Sequence, residues 1–468
     1  MAVRTLVTTL LIPPVIVITA ALAQTPPAPT PIAPDIQRTL DHLRQAALAS
    51  DRGYDIVTRL VTEVGPRLAG SDAEARARDW AVLMLRALNL ENVRIEPFEV
   101  PFWQATRQRA AIVSPSPQPL VVAALAGSPS TPPGGIEAEV VRFPDLATFE
   151  AAPADAVRGR MVFIDEGMVR TETGEGYRAA VPRRGRCAPP TQRKGGVACL
   201  IRSVGTNSNR QAHQGGDARQ PDGVSLPAAA LAPPDADVLA RLLERGPVRV
   251  RLEIEAEMRE RAPSGSVIAE VPGRERPDEI VLLAAHLDSW DLGQGATDDG
   301  FGVAVLAAAA ALIRELPQPP RRTIRIFLDG AEETLPVPGQ DYIRRHGAER
   351  HVVAAEADHG AGRIWRIRTQ FGPGRQREAA AIARALAPLG ILSGPNDGAG
   401  GEDIQPLLAT GVPGMELTQD ASAAFDYHHT ADDTLDKIDR VAMRQNVAAF
   451  AMFAYLAAES GWTFGRAQ

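Results

Sequence analysis

Apolar positions along this chain change period several times, and the changes divide it into segments. Over residues 35–64 they recur at helical spacing, with Leu40, Leu43, Ala47 and Leu48 on one face, and Gly53 reads as a break. Ser71 is placed to cap a further helix running to Leu88, with Glu74 at the capping-box position. Residues 92–100 alternate as a strand does. Over residues 114–264 the pattern gives way to short apolar runs among Pro and Gly, such as 121–124 and 161–164, which predicts a mostly β segment. Within it, Arg183, Arg184, Arg186, Arg193 and Lys194 read as a solvated basic loop. From Ser266 strands expected at 267–271, 280–285, 323–329, 351–357 and 411–417 alternate with helices expected at 300–315, 376–388, 403–409 and 440–459. That rhythm predicts an α/β fold, a central sheet with helices on both faces. Its first part is 35–113, its second part 265–468, and the β segment 114–264 is an insert between them.

Composition narrows the class. The chain has 468 residues, 45% hydrophobic and 23% charged, which suits packed cores and not disorder. A net charge of −7 argues against nucleic acid or an anionic membrane as partner. Arg4, the apolar run 6–18 and the small-x-small site Ala21-Leu22-Ala23 read as a signal peptide over residues 1–23. Pro13 and Pro14 break a run already too short for a membrane anchor, and the absence of a cysteine at the cleavage point argues against a lipoprotein. Residues 24–34, rich in Pro and Ala, follow as a linker. The expectation is an exported protein, periplasmic or secreted, free of the membrane after cleavage. Cys187 and Cys199 are the two cysteines. An even count in an exported chain permits one disulfide, with two buried thiols as the alternative.

Chemistry concentrates after the strand 280–285. His286 and Asp288 lie just past its carboxyl end, Gly293, Gly295 and Gly300 supply turns, and Asp298-Asp299 precedes an Ala-rich helix. Ligands of open α/β sheets gather at such strand ends. Imidazole with carboxylate suits zinc or another borderline divalent ion. The strand 323–329 runs into Glu332-Glu333, which in isolation would be an acidic turn opening a helix. The strand 351–357 runs into Asp358, and Tyr427-His428-His429 precedes Asp432-Asp433-Thr434.

Together the stretch His286-Leu-Asp288-Ser-Trp290-Asp291 with Asp298-Asp299-Gly300, Ala331-Glu332-Glu333, Gly411-Val-Pro-Gly414 and His428-His429 with Asp433-Thr434 resembles the zinc aminopeptidase/glutamate carboxypeptidase superfamily, in particular its plasma glutamate carboxypeptidase branch. The resemblance spans nearly all of the mature chain. It implies the zinc exopeptidase fold and two Zn2+ per chain. His286 and Asp358 would hold one, Glu333 and His429 the other, and Asp298 would bridge them. His429 is preferred because it stands four residues before Asp433; His428 is the competitor and would otherwise steady the oxyanion. Asp288 would orient His286, the Asp298–Asp299 peptide would be cis, and Glu332 would move the proton. The implied activity is hydrolysis of dipeptides or short peptides with a free N-terminus, under an insert similar to a protease-associated domain, in a chain that allows a homodimer. Two other readings remain open at this point: a single-zinc acyltransferase of the glutaminyl cyclase kind, and an inactive binding module of the same fold. Trp290 and Asp291 would either wall the substrate or pack beneath the loop. His359 would add a polar group to the site, and Asp403 would either serve the site or cap a helix.

Overall fold

The computed structural model describes residues 28–216, 223–334, 337–398 and 400–466; the expected signal peptide lies outside them. The centre of the molecule is the strand Arg276–His286, buried without interruption from Glu279 onward. It is buried on both faces, which is why its sequence is a continuous apolar run and not an alternation. Arg322–Asp329 pairs with it in parallel, setting Asp329 opposite His286, and Arg350–Glu356 pairs in parallel on the other side. Gly414–Gln419 continues the parallel series, while Ile364–Gln370 and Arg249–Val271 run antiparallel outside it. The sheet is therefore mixed, and the carboxyl ends of its central strands share one edge.

Helices cover both faces. On one, Val281, Leu283, Ala285, Ile324 and Ile326 meet the helices Pro34–Leu48, Arg52–Glu63, Asp72–Ala87, Gly300–Arg314 and Arg440–Glu459. On the other, Leu282, Ala284 and Phe327 meet Tyr342, Leu407 and Leu408. Ala-rich Gly300–Arg314 is buried nearly all round, because it lies between the sheet and the Arg440–Glu459 helix. Small side chains let three layers approach that closely. Ser71 caps its helix as expected, its hydroxyl accepting from the Glu74 N–H at 3.1 Å.

Several local expectations are corrected. The break in the first helical stretch falls at residues 49–51, and Gly53 lies inside the second helix. A Cβ there would come within 2.9 Å of Met443 Sδ, so the glycine serves helix packing. The helix expected at 403–409 is only Gln405–Leu408. Asp403 does not cap it; its carboxyl is buried beside Asp329. Ile364–Gln370 and Val337–His346 were not anticipated. The strand lies near the sheet edge, where Arg366 and Arg368 are tolerated and apolar alternation is weak.

The insert is not mostly β. Parallel strands Ile136–Phe143, Met161–Ile164, Ala198–Arg202 and Ala228–Leu231 alternate with helices such as Leu146–Ala151, Pro182–Arg186 and Pro233–Leu243. Most of these helices are too short to leave a 3.6-residue period in the sequence. A long antiparallel ribbon, Glu91–Ser114 against Arg249–Val271, joins insert to main sheet, crossing both boundaries read from composition. Among the described residues no helix is long and apolar enough to cross a membrane.

Cys187 and Cys199 form a disulfide across the insert core, with Cα atoms 6.0 Å apart. Closing a loop of 12 residues removes unfolded-state entropy worth about 3 kcal/mol. Replacing both cysteines by serine is expected to lower the unfolding free energy by that order in chemical denaturation; an unchanged value would count against a stabilising bond.

Candidate metal centre and active-site cavity

The strand ends deliver their side chains to one cavity of about 600 Å³, lined by Asp298, Glu332, Glu333, Asp358, His428 and His429 among others. At its floor the two oxygens of Asp298 face opposite ways. Oδ1 lies 3.1 Å from His286 Nε2, which in turn lies 3.8 Å from Asp358 Oδ1. Oδ2 lies 3.0 Å from His429 Nε2, which is also 3.0 Å from Glu333 Oε2. Two donors on a tetrahedral zinc at about 2.1 Å stand about 3.4 Å from each other. Both clusters match that spacing. Asp298 Oδ2 and Glu333 Oε1 are buried without a hydrogen-bond partner, which suits acceptors aimed at a cation. The donor set therefore fits divalent metal, with His286, Asp298 and Asp358 on one side and Asp298, Glu333 and His429 on the other.

His428 also approaches Asp298 Oδ2, at 3.3 Å, and stacks on His429 with ring centroids 3.5 Å apart. It has no contact with Glu333 corresponding to that of His429. Asp299 lies near His286 and Asp358, but its oxygens accept backbone N–H groups, Oδ2 from His286 at 3.2 Å and Oδ1 from Gly302 at 2.9 Å. It builds the turn into the Gly300–Arg314 helix. The Asp298–Asp299 peptide is cis.

A second layer fixes these groups. Asp288 is fully buried; its two oxygens accept from the Glu332 and Glu333 N–H groups at 3.1 and 3.3 Å, and Oδ1 is 3.5 Å from His286 Nδ1. One carboxylate thus ties two strand ends together. Asp433 accepts from the N–H and hydroxyl of Thr297, at 2.8 and 2.7 Å, beside Asp298. Arg67, 0% exposed, donates to the carbonyls of Leu287, Gln294 and Gly295 and so holds the loop between His286 and Asp298. A Cβ on Gly295 would meet both Ser289 and this guanidinium, which explains the glycine. From the insert, the Gln214 carbonyl lies 3.2 Å from His429 Nδ1, and Gln214 N–H donates to the His429 carbonyl at 2.9 Å. Arg67 and Gln214 escaped the reading of the sequence, because neither belongs to a motif and both act across long sequence distances.

Trp290 packs; it is buried in the insert core and tilted against the His429 ring at 5.6 Å. Asp291 accepts from Gln104 at 2.8 Å. His359 lines the cavity, its N–H held by Gln419 at 3.1 Å. The basic loop is corrected: Arg183 and Arg184 are buried.

Electrostatics follow from enclosure. Burial would raise the Asp298 carboxyl, but His428, His286 and His429 outweigh it and hold the group well below the usual range. Burial, with repulsion from Asp358, Glu333 and Glu402 against the pull of His286, pushes Glu332 well above its ordinary value. Burial, then His429 and Arg184, keep His428 far below an ordinary imidazole and so neutral.

Residues 266–454 match the model of peptidase family M28. Carboxypeptidase Q of Rattus norvegicus is 33% identical over 437 residues, covering 91% of this chain and 89% of the relative. The crystal structure of a peptidase M28 precursor from Shewanella amazonensis SB2B superposes with a TM-score of 0.90 at 44% identity, over 93% of this chain and 99% of the other. A zinc aminopeptidase from Bacillus subtilis shares the fold at 18% identity and TM-score 0.65, over 89% and 97% of the two chains.

Asp288→Asn keeps the shape but weakens the tie between His286 and the Glu332–Glu333 turn. Zinc affinity, read by competition with a chromophoric chelator, is expected to fall about 10- to 100-fold; wild-type affinity in that variant would refute the orienting role.

Proposed function

This chain is a metallo-exopeptidase of peptidase family M28, and on that premise we propose that it is an exported dinuclear zinc enzyme that hydrolyses dipeptides or short peptides bearing a free N-terminus. The observation carrying this reading is the bridging posture of Asp298, one oxygen toward His286 and Asp358, the other toward His429 and Glu333. His429 is the ligand in preference to His428 because it alone of the two reaches Glu333, and because the Gln214 carbonyl fixes its other ring nitrogen. When bound, the zinc pair supplies Lewis acidity, acidifying water and polarising the scissile carbonyl.

The residues do the rest. Glu332, half-buried beside the metal ligands, takes a proton from the attacking water as the new C–O bond forms. It returns that proton to the amine as the C–N bond breaks. Its raised affinity for a proton suits both transfers. His428, which lines the cavity beside the donor cluster, donates to the developing oxyanion. The insert resembles a protease-associated domain in this reading and acts as a lid. Its Thr206 and Gln214 N–H groups bond to the carbonyls of Phe425 and His429, roofing the cavity and limiting substrate length. The disulfide supports residence in an oxidising compartment. The single-zinc acyltransferase reading loses ground to the presence of two donor clusters around Asp298, since one zinc leaves one of them without a task.

Glu332→Gln is expected to retain the zinc of the wild type, measured by elemental analysis, and to lose at least about 100-fold in kcat on a dipeptide. Undiminished turnover with full metal would remove Glu332 from the proton path.

A further inference from the structure

The carboxylates lining the cavity are Asp298, Glu332, Glu333, Asp358 and Glu402. The first four are the metal donors and the proton carrier of the reading above, and a pair of divalent ions matches their charge. Glu402 is left over. Among the described residues it has no cationic partner; Arg178 and Arg184, the guanidiniums on the cavity wall, are not paired with it. Its carboxylate instead adds to the repulsion on Glu332 and Asp358, so these three acids share one end of the cavity.

The turn carrying Glu402 is built to hold it there. Glu356, 2% exposed, sits behind the turn, and its Oε2 accepts from the Ile404 N–H at 3.0 Å. Its Oε1 lies so close to Gly401 that any Cβ there would overlap it. Gly400 takes φ +63°, and a Cβ on it would press on Leu408 and Ile404. Asp403 turns inward, its carboxyl buried beside Asp329. Between these fixed neighbours the exposed Glu402 lines the cavity. A carboxylate presented by a clamped turn loses less freedom on meeting a cation than one on a mobile segment.

Substrate geometry selects the cation. The free α-ammonium draws the first residue of a peptide to the acidic end of the cavity. That amine is only one atom removed from the scissile carbon, so it lies among the metal donors. Glu402 stands outside the donor clusters, where a longer group on the same residue ends. Lysine and arginine side chains reach outward on methylene stems and terminate in a cation.

We propose that Glu402 selects peptides whose first residue carries a basic side chain, lysine or arginine, by pairing with the cation at its tip. This rests on the exopeptidase reading above.

The test compares lysyl-alanine with norleucyl-alanine, which keeps the four-carbon stem and lacks the ammonium, on the full zinc-loaded chain. Wild type is expected to favour lysyl-alanine at least about 5-fold in kcat/KM, the upper range for an ion pair open to solvent. The difference should sit in KM, because the pairing is equal in ground and transition states. Glu402→Gln should bring the ratio toward one, and Glu402→Lys should push it below one. Calorimetry supplies a readout apart from turnover: free L-lysine should bind wild type more tightly than L-norleucine by a similar factor. Equal efficiency on the two dipeptides, or equal binding of the two amino acids, needs no variant to fold and overturns the assignment. So does a Glu402→Gln enzyme that keeps the wild-type ratio while KM rises equally for both dipeptides, which would place the α-amine at Glu402. Cleavage of neither dipeptide by wild type would instead overturn the exopeptidase reading itself.

Discussion

The molecule is organised by a concentration of carboxylates that it cannot neutralise with its own side chains. Asp298, Glu332, Glu333 and Asp358 face one cavity, with Asp299 directly beneath. His286, His428 and His429 are the imidazoles facing Asp298, and the buried guanidinium of Arg67 is occupied with backbone carbonyls. Carboxylates withdrawn from water repel one another and need a countercharge. A divalent cation answers that need, and the posture of Asp298, with oxygens toward two donor clusters, fits the pair proposed above. The surrounding structure is devoted to keeping this arrangement from relaxing. Parallel strands in register bring His286 opposite Asp329, Asp288 ties their ends together, and Arg67 and Asp433 hold the glycine-rich loop between.

The insert takes part in that arrangement. Its Gln214 carbonyl steadies His429, a residue already in left-handed backbone conformation, and His213 lies 2.6 Å from the His428 carbonyl. A ribbon shared between the two sheets gives it a firm hinge-line to the main body.

Much of this was legible in the residues. Continuous apolar runs ending in His286, Asp329 and the 356–358 acids announce buried parallel strands with chemistry at their tips, and the resemblance supplied the grouping of ligands. What stayed hidden was non-local. Arg183 and Arg184 read as solvated because charge in a Pro/Gly-rich stretch usually is; only the fold shows them enclosed. Arg67 lies 220 residues from Leu287, whose carbonyl it holds. Gln214 acts through a main-chain oxygen, which no side-chain pattern reports. The Ile364–Gln370 strand went unread because its outer neighbour is only Leu392–Ser393, so little apolar surface is needed there.

The most direct measurement is anomalous diffraction at the zinc edge from crystals of the zinc-loaded protein. Two peaks are expected, about 3.5–4 Å apart on either side of the Asp298 carboxylate. The peak toward His286 should contact Asp358, and the peak toward His429 should contact Glu333. A single peak, or zinc bound away from Asp298, would contradict the account.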